Sequence, residues 1–565
     1  MAQQIVAKIV AQFPEEVLAT EAFRGDETLV VHRDRAHQLC QWLKETPTLD
    51  FNMLMDLCGV DYPERAERFD VVYHLYSTRH HHRLRLKVRV GGEEPTVESV
   101  TDIWAGANWY ERECFDLFGV RFRGHPHLTR ILTFPEFEGH PLRKDYPIDR
   151  RPQIPTPDSL SDRVVPRGAG QTPDDLLHHR QMLLNMGPSH PTMHGTLRVL
   201  LTLDGEQIIG AEPEIGYLHR CFEKESEDHT YTQIIPYTDR LNYVSPLMNN
   251  VGFAMAVEKL MGIEVPPRAQ YIRVIIAELS RIMDHMVCIG TNLVDLGALT
   301  NFWYFFNVRE MMYVWVEALT GARLTNTYTR IGGVARDLPE GFIGGVRKNL
   351  REYAKAVADV RGLIAKNRIY LDRTRDVGVI SREDAIAYGF TGPSLRATGE
   401  PYDVRKVHPY LCYDEFDFDI PVGAVGDSYD RIEVRFEEMR QSQRIIEQAL
   451  AKIPEGPIIN PQGQTALPPK HEVYNSIEGL IRHFEIIMFG IKPPPGEVYG
   501  FTEAANGELG FYIVSDGSGK PYRIKVRPPC FAIYQAYPLL IQNRLLADAI
   551  AVLGNLNIVA GELDR

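Results

Sequence analysis

The sequence predicts an α+β protein: an N-terminal α+β domain linked to a larger, mainly α-helical domain with short β-strands. Three observations support this prediction. β-rich runs lie within the first 90 residues, helical periodicity dominates beyond residue 180, and a proline-rich stretch separates the two parts. A length of 565 residues suggests about three domains or fewer, and we expect two.

The predicted first domain covers residues 1–148. Its β-rich runs are 27–33, 69–77 and 83–90, and the last alternates polar and apolar residues as a half-buried strand does. A helix should follow, because apolar side chains recur every three or four residues at Ile103, Ala107, Tyr110, Cys114 and Leu117.

Residues 149–180 contain several prolines and glycines, which predicts an extended linker. The second domain, residues 181–565, should be mainly helical. An apolar stripe runs through residues 272–286, and residues 429–453 repeat the pattern with charges on the other face. Short strands are predicted at 197–203 and 511–514.

Composition excludes several functions. The formal net charge of -13 disfavours nucleic-acid binding, which needs a basic surface. No GxGxxG follows a strand, and residues 516–520 lack the P-loop spacing, so no nucleotide site of those types is expected. The seven cysteines form no CxxC pair, which argues against a disulfide framework or a local metal knuckle.

The predicted location is the cytoplasmic side of the cell. The N-terminus has no apolar core or cleavage site typical of a signal peptide. The most apolar long stretch, residues 286–308, contains Asp295 as well as glycine and asparagine, so no membrane span is predicted.

Residues 185–195 (NMGPSHPTMHG) combine His190 and His194 with two prolines and two glycines. A regular helix cannot form there, so this His-x3-His spacing does not present both rings on one face as in a zinc protease. We therefore do not expect zinc. A tight turn with structural histidines is the plainer interpretation.

Asp295 is a lone carboxylate in an apolar stretch. Such a group must find a donor or stay protonated, and histidine is a fitting partner, although a buried helix cap would also explain it. Tyr243 lies close to Arg240 in residues 237–245. Nothing local distinguishes it from the other 25 tyrosines.

Several motifs resemble a known family. Residues 110–119 (YERECFDLFG) and 138–147 (EGHPLRKDYP) resemble the C subunit of respiratory complex I, the bacterial NADH:quinone oxidoreductase. From Asn185 onward the chain resembles the D subunit. The matching segments are 187–195, 216–224, 265–268, 330–333, 392–399, 402–406 and 507–517.

The D subunit is related to the large subunit of nickel–iron hydrogenases, which holds its metals with two cysteine pairs. At the matching positions this chain has Asn242 and Ser245 after Arg240, and Asn557 where the second pair would begin. Such side chains cannot replace thiolates for nickel. The resemblance therefore implies a lost metal site, with no metal or cluster on this chain, and leaves a metal-binding hydrogenase subunit as the alternative.

In the family, the emptied cavity receives a quinone headgroup. The resemblance implies that Tyr243 binds one carbonyl and His194 the other, while Asp295 pairs with His194. His190 would shape the headgroup pocket. The loop 190–195 is expected to move when a quinone enters.

The resemblance also implies partners: a B subunit that carries the terminal iron–sulfur cluster, other iron–sulfur subunits of the peripheral arm and the quinone-channel membrane subunit. Arg220 would lie near that cluster. Many members have a histidine where this chain has Thr325, which predicts weaker coupling between pH and the cluster potential.

The expected function is thus a peripheral-arm subunit of a proton-translocating oxidoreductase, at the cytoplasmic face of the bacterial inner membrane. It would be active only within the complex. A non-catalytic scaffold is the third possibility, and residues 1–148 are expected to serve docking only.

Overall fold

The computed structural model describes residues 2–150, 181–460 and 465–565. Its strands are β1 Val17–Phe23, β2 Asp26–Val31, β3 Met53–Asp61, β4 Phe69–Tyr76, β5 Arg83–Val90, β6 Thr96–Glu98, β7 Arg121–Arg123, β8 Gln181–Met186, β9 Arg198–Asp204, β10 Gln207–Glu214, β11 Thr329–Arg330, β12 Gly333–Val334, β13 Gly496–Ala504, β14 Gly507–Ser515 and β15 Arg523–Arg527.

Helices are more numerous beyond residue 220, and the mixed α+β class is as predicted. The helices are α1 Ala2–Gln12, α2 Ala36–Glu45, α3 Ala107–Phe118, α4 Phe222–Asp228, α5 Tyr231–Thr238, α6 Pro246–Met261, α7 Pro267–Asp295, α8 Leu299–Thr320, α9 Phe342–Ile364, α10 Arg368–Thr374, α11 Arg382–Ala387, α12 Gly392–Arg396, α13 Val404–Val407, α14 Ser428–Lys452, α15 Lys470–Asn475, α16 Ile477–Phe489, α17 Pro529–Gln535, α18 Tyr537–Ile541, α19 Leu546–Leu556 and α20 Ala560–Asp564.

The first sheet has the order β1-β2-β5-β4-β3, with only β2 and β5 parallel. Strands β2, β4 and β5 confirm the three predicted runs. Every residue of β3 and β4 is buried, because both faces of the sheet are covered. One face contacts α3, and the other packs against β13 and β14 through Cys58, Val60, Val72, Tyr499, Tyr512 and Val514.

Helix α3 begins at Ala107, four residues after Ile103, where the predicted apolar face begins. Ile103 is buried but lies in the preceding turn, where its backbone N–H donates to the carbonyl of Val100. Placing Ile103 in the helix was therefore wrong. The helix ends at Phe118, and Gly119 follows in the left-handed conformation that glycine adopts without strain.

Helix α7 forms the centre of the second part and packs against α6, α8, α14 and α19. It begins with Pro267 in the first turn, where no helical N–H is required. Helices α7 and α14 confirm the two predicted helical patterns, and β9 and β14 confirm the two predicted strands.

A turn containing Gly297 separates α7 from α8, so residues 286–308 are not one continuous helix. Among the described helices, none is both long and apolar enough to cross a membrane.

The two parts of the chain share one hydrophobic core, which includes residues of β3, α3, β9, α17 and α19. Buried polar contacts join them as well: Arg523 donates to the Gly59 carbonyl, and Lys525 pairs with Glu113 of α3. The predicted linker, residues 149–180, lies almost entirely outside the described residues.

Candidate functional site

The segment that carries the two histidines is a tight turn, as its composition predicts. It follows β8 and contains a single 3-10 turn, residues 191–193. His190 caps this turn: its Nδ1 lies 2.6 Å from Thr192 Oγ1 and accepts a weaker bond from the Thr192 N–H. His194 ends the turn in the left-handed conformation, with φ of 53°.

His194 contacts Asp295. The distance from Nε2 of His194 to Oδ2 of Asp295 is 2.6 Å, and both side chains are less than one-fifth exposed. Asp295 is the last residue of α7, where the helix dipole disfavours negative charge. Because the N-cap is the helix end that a carboxylate stabilises, the cap interpretation does not describe this residue. The histidine supplies the hydrogen bond that the carboxylate needs.

Tyr243 lies in the turn between α5 and α6 and is 38% exposed. Burial, and then the negative charge of Asp284, raise the pKa of its hydroxyl. The hydroxyl is therefore protonated at neutral pH and can donate a hydrogen bond. In the part of the chain that the structure describes, no hydrogen bond to another residue engages it.

Asn242 and Asn557 meet at one carboxylate that sequence reasoning missed. Asn242 Nδ2 donates to Oδ2 of Asp284 at 2.9 Å, and Asn557 Nδ2 donates to Oδ1 at 2.7 Å. Ser245 is also fully buried. The fold thus brings together the two positions that the resemblance matched to cysteine pairs. Here their amide groups surround a carboxylate.

Asp284 and Asp295 belong to the same helix, α7. Asp295 lies 11 positions after Asp284, which corresponds to about 16 Å of regular helix. The contact of His194 and the contacts of Asn242 and Asn557 therefore lie at different levels along α7.

Arg220 lies between β10 and α4 and donates through Nη2 to the carbonyl of Arg240 at 2.7 Å. No carboxylate among the described residues pairs with it, so it is not part of a surface ion pair. Burial and the neighbouring Arg240 lower the pKa of its guanidinium. Gly561 allows this approach, because a Cβ there would lie 2.5 Å from the Arg240 carbonyl oxygen.

A buried ion network packs against α7, where Arg405 pairs with Glu278 of that helix. Asp403, Glu438 and Glu503 place carboxylate oxygens within 4.8 Å of one another, a geometry that could hold a metal ion. Arg396 and Arg405 pair with them, however, so guanidinium groups already neutralise the cluster. His285, next to Asp284 in sequence, contacts Glu438 at 2.9 Å.

Comparison with known proteins assigns both parts of the chain. A family model for the 49 Kd subunit of respiratory-chain NADH dehydrogenase matches residues 295–565, and one for the 30 Kd subunit matches residues 29–152. These matches define the class as a subunit of a respiratory-chain NADH dehydrogenase.

Relatives match nearly the whole chain. The C/D subunit of NADH-quinone oxidoreductase from Bdellovibrio bacteriovorus is 52% identical over 96% of this chain and 95% of its own length. A C/D subunit of the same enzyme from Aquifex aeolicus is 42% identical over 99% of both chains. The D subunit from Myxococcus xanthus is 53% identical over 69% of this chain and 94% of its own. The chain belongs to the family of fused C/D subunits of NADH-quinone oxidoreductase.

Proposed function

We propose that the chain is the peripheral-arm subunit of a bacterial NADH-quinone oxidoreductase that forms one wall of its quinone-reduction site. The observation that carries this proposal is the contact between His194 and Asp295 at the end of α7. It supplies a hydrogen-bonded histidine in a tight turn, in a chain whose relatives are named for quinone chemistry.

Reduction of a quinone to its hydroquinone consumes two electrons and two protons, one proton for each carbonyl oxygen. In the proposal, Tyr243 donates a hydrogen bond to one carbonyl and His194 to the other. Asp295 accepts from Nε2–H of His194 and orients the ring, so donation to the carbonyl requires a second proton, on Nδ1. His190, which caps the same turn, shapes the headgroup pocket without donating to the substrate.

The electrons come from NADH through iron–sulfur subunits of the peripheral arm, and the last cluster lies on a neighbouring B subunit. Arg220 supports this placement, since its guanidinium has no carboxylate partner among the described residues. A cation beside a cluster favours the reduced state. The quinone enters through a channel-forming membrane subunit, which places the chain at the cytoplasmic face of the inner membrane.

The division of labour along the chain is part of the proposal. Residues 1–148 dock, residues 149–180 link, and residues 181–565 form the quinone site. The hydrogenase alternative is disfavoured by the names of the relatives and by the side chains at the matching positions, since the amide groups of Asn242 and Asn557 donate to Asp284. The scaffold alternative gives no reason for the contact between His194 and Asp295.

A candidate contact with another subunit lies on α16. Seven apolar side chains of this helix are each more than half exposed: Ile477, Leu480, Ile481, Phe484, Ile487, Met488 and Phe489. Their combined exposed area is on the order of several hundred Å². One partner of a typical protein–protein interface buries about 800 Å², so the two areas are similar.

We assign this face to an apolar groove on another protein subunit of the complex. The remaining side chains include Glu478, Arg482 and Glu485, so the helix lacks the lysine- and arginine-rich face of helices that bind lipid surfaces.

The proposal is tested with Tyr243→Phe in membranes that contain the assembled complex. Reduction of a quinone is compared with reduction of a hydrophilic acceptor that takes electrons upstream. We expect the first to fall and the second to remain. Tyr237→Phe is the matched control, because Tyr237 lies on α5 in the same segment and contacts His229 instead. Unchanged quinone reduction in Tyr243→Phe would mean that the tyrosine is structural.

A further inference from the structure

Asp284 is a buried carboxylate held only by neutral donors. Its side chain is fully buried on α7 and accepts one amide hydrogen bond on each oxygen, from Asn242 and from Asn557. Among the described residues, no lysine or arginine forms an ion pair with it. A buried carboxylate without an ion-pair partner is costly, so its presence at this position calls for a function.

The hydrogen bonds of Asp284 join segments that are distant in sequence. Asn242 precedes Tyr243 and also accepts from the backbone N–H of Val244, which fixes the turn. Asn557 follows α19 in the left-handed conformation, and its amide also reaches Asn506 at 2.7 Å. Asp284 therefore connects the Tyr243 turn to the C-terminal segment and to the β13–β14 turn.

The surroundings of Asp284 contain several titratable groups and one cation. They come from the turn before α6, from α7 itself and from α14, α17 and α20. The groups that respond to the Asp284 charge are Tyr243, His285, Cys288, Cys530 and Glu562, and the cation Arg435 acts on His285 and Cys288. Tyr243 is the member that also belongs to the proposed headgroup site.

We propose that Asp284 is a positioning residue for quinone reduction, which holds the Tyr243 turn in place through Asn242 and whose charge acts on the Tyr243 hydroxyl. This inference rests on the proposed function. Two carboxylates of one helix then have parallel tasks: Asp295 orients the histidine donor, and Asp284 orients the tyrosine donor.

The charge of Asp284 changes the pKa of Tyr243 in a definite direction. Burial raises the pKa of Tyr243 first, and the Asp284 charge raises it further. Removal of that charge lowers the pKa of Tyr243, so the phenol loses its proton at a lower pH. The alkaline limb of the rate profile should therefore move toward lower pH.

The test uses Asp284→Asn in the assembled complex, with the rate of quinone reduction measured across the alkaline range. We expect at least a tenfold fall in kcat and a shift of the alkaline limb to lower pH, while the upstream acceptor is reduced at the normal rate. Asp427→Asn is the control: Asp427 is also a buried aspartate on the second part of the chain, and it caps α14 away from the site. An unmoved alkaline limb would overturn the electrostatic role.

A second variant keeps the inference testable if Asp284→Asn does not assemble. Asn557→Gly removes one amide donor but tolerates the left-handed backbone and leaves the charge of Asp284. We expect KM for quinone to rise several-fold without a shift of the alkaline limb, and an unchanged KM would contradict the positioning role. Tyr243→Phe distinguishes failure of the proposed Tyr243 role from failure of the proposed Asp284 role. If Tyr243→Phe is inactive while the Asp284 variant behaves as wild type, only the inference about Asp284 fails. If Tyr243→Phe is fully active, the tyrosine is structural, and its proposed headgroup role fails together with this inference.

Discussion

Nε2 of His194 lies 2.6 Å from Oδ2 of Asp295, although 101 residues separate them in the sequence. In the proposed site this contact orients the ring that donates to the quinone. A hydrogen bond to a charged group contributes about 1.5–3 kcal/mol, so Asp295→Asn should lower quinone reduction roughly ten- to hundredfold. The measurement is the turnover of membranes with a short-chain quinone. Normal turnover in a variant that is fully assembled would remove the Asp295 carboxylate from the mechanism.

The low pKa of Glu278 predicts how the stability of the fold changes at acidic pH. Burial alone would raise the pKa of this carboxyl, but Arg281 and Arg405 outweigh it and hold the pKa at about 2. Because the folded-state pKa lies below the ordinary value, the carboxylate stabilises the fold above about pH 4.5, and this contribution is lost as the pH falls toward 2. The expected loss is about 3 kcal/mol.

Glu278→Gln tests that assignment. It removes the carboxylate that pairs with Arg281 and one of the three that pair with Arg405, and should destabilise the chain by about 3–5 kcal/mol at pH 6. The difference from wild type should shrink as the pH drops below 4.5, which urea unfolding at several pH values would measure. A difference that does not change with pH would mean that Glu278 is not the group that titrates.

The ion pair between Glu113 and Lys525 predicts that the two parts of the chain unfold together. Both side chains are buried and belong to opposite sides of the shared core. Lys525→Met should therefore destabilise residues 1–148 as well as the second part, by about 3–5 kcal/mol. Hydrogen exchange of the β3 and β4 amides would report the effect. Protection of β3 and β4 that stays at the wild-type level would show that the first sheet is stable independently.

Thr325 predicts the behaviour of the partner's terminal cluster. Threonine does not titrate near neutral pH, so the midpoint potential of the cluster should be nearly independent of pH in the complex. Thr325→His should introduce a slope that approaches about 59 mV per pH unit. Redox titration of the assembled complex measures both. A steep slope in the wild type would show that another group provides the coupling.

The apolar face of α16 predicts a defect of assembly rather than of folding. Ile481→Ser with Phe484→Ser changes two exposed side chains, so the stability of the chain should change by less than about 1 kcal/mol. Co-purification of the other subunits should nevertheless decrease. Ile369→Ser is the control, because Ile369 is exposed to a similar degree on α10. Complete assembly of the double variant would mean that this face does not contact another subunit.

Local patterns predicted the strands and helices in which apolar residues recur at regular intervals. Residues 83–90 alternate and residues 272–286 have a helical stripe, so β5 and α7 could be found without further information. Strand β3 was missed because both of its faces are buried and alternation is absent. The charge of its Asp56 is opposed by Lys525, which is too distant in sequence to recognise.

The residues of the candidate site also include some that local reasoning indicated and some that it missed. The cost of burying Asp295 predicted that it needs a donor, whereas Tyr243 was selected only by resemblance to a family. Asp284 was missed because it lies inside an apolar stripe and its partners, Asn242 and Asn557, are 42 and 273 residues away. Burial of a charge without an ion pair was the relevant signal, and only the folded chain reveals it.

The contact between Glu113 and Lys525 spans 412 residues, which has a consequence for synthesis on the ribosome. At about 5–20 residues per second, the lysine follows the glutamate by roughly 20–80 seconds. During that interval the first sheet has left the ribosome, but the strands that cover its second face have not been made. A nascent chain of this length would expose apolar surface for many seconds, and a chaperone bound there would have to leave before the first sheet could be covered.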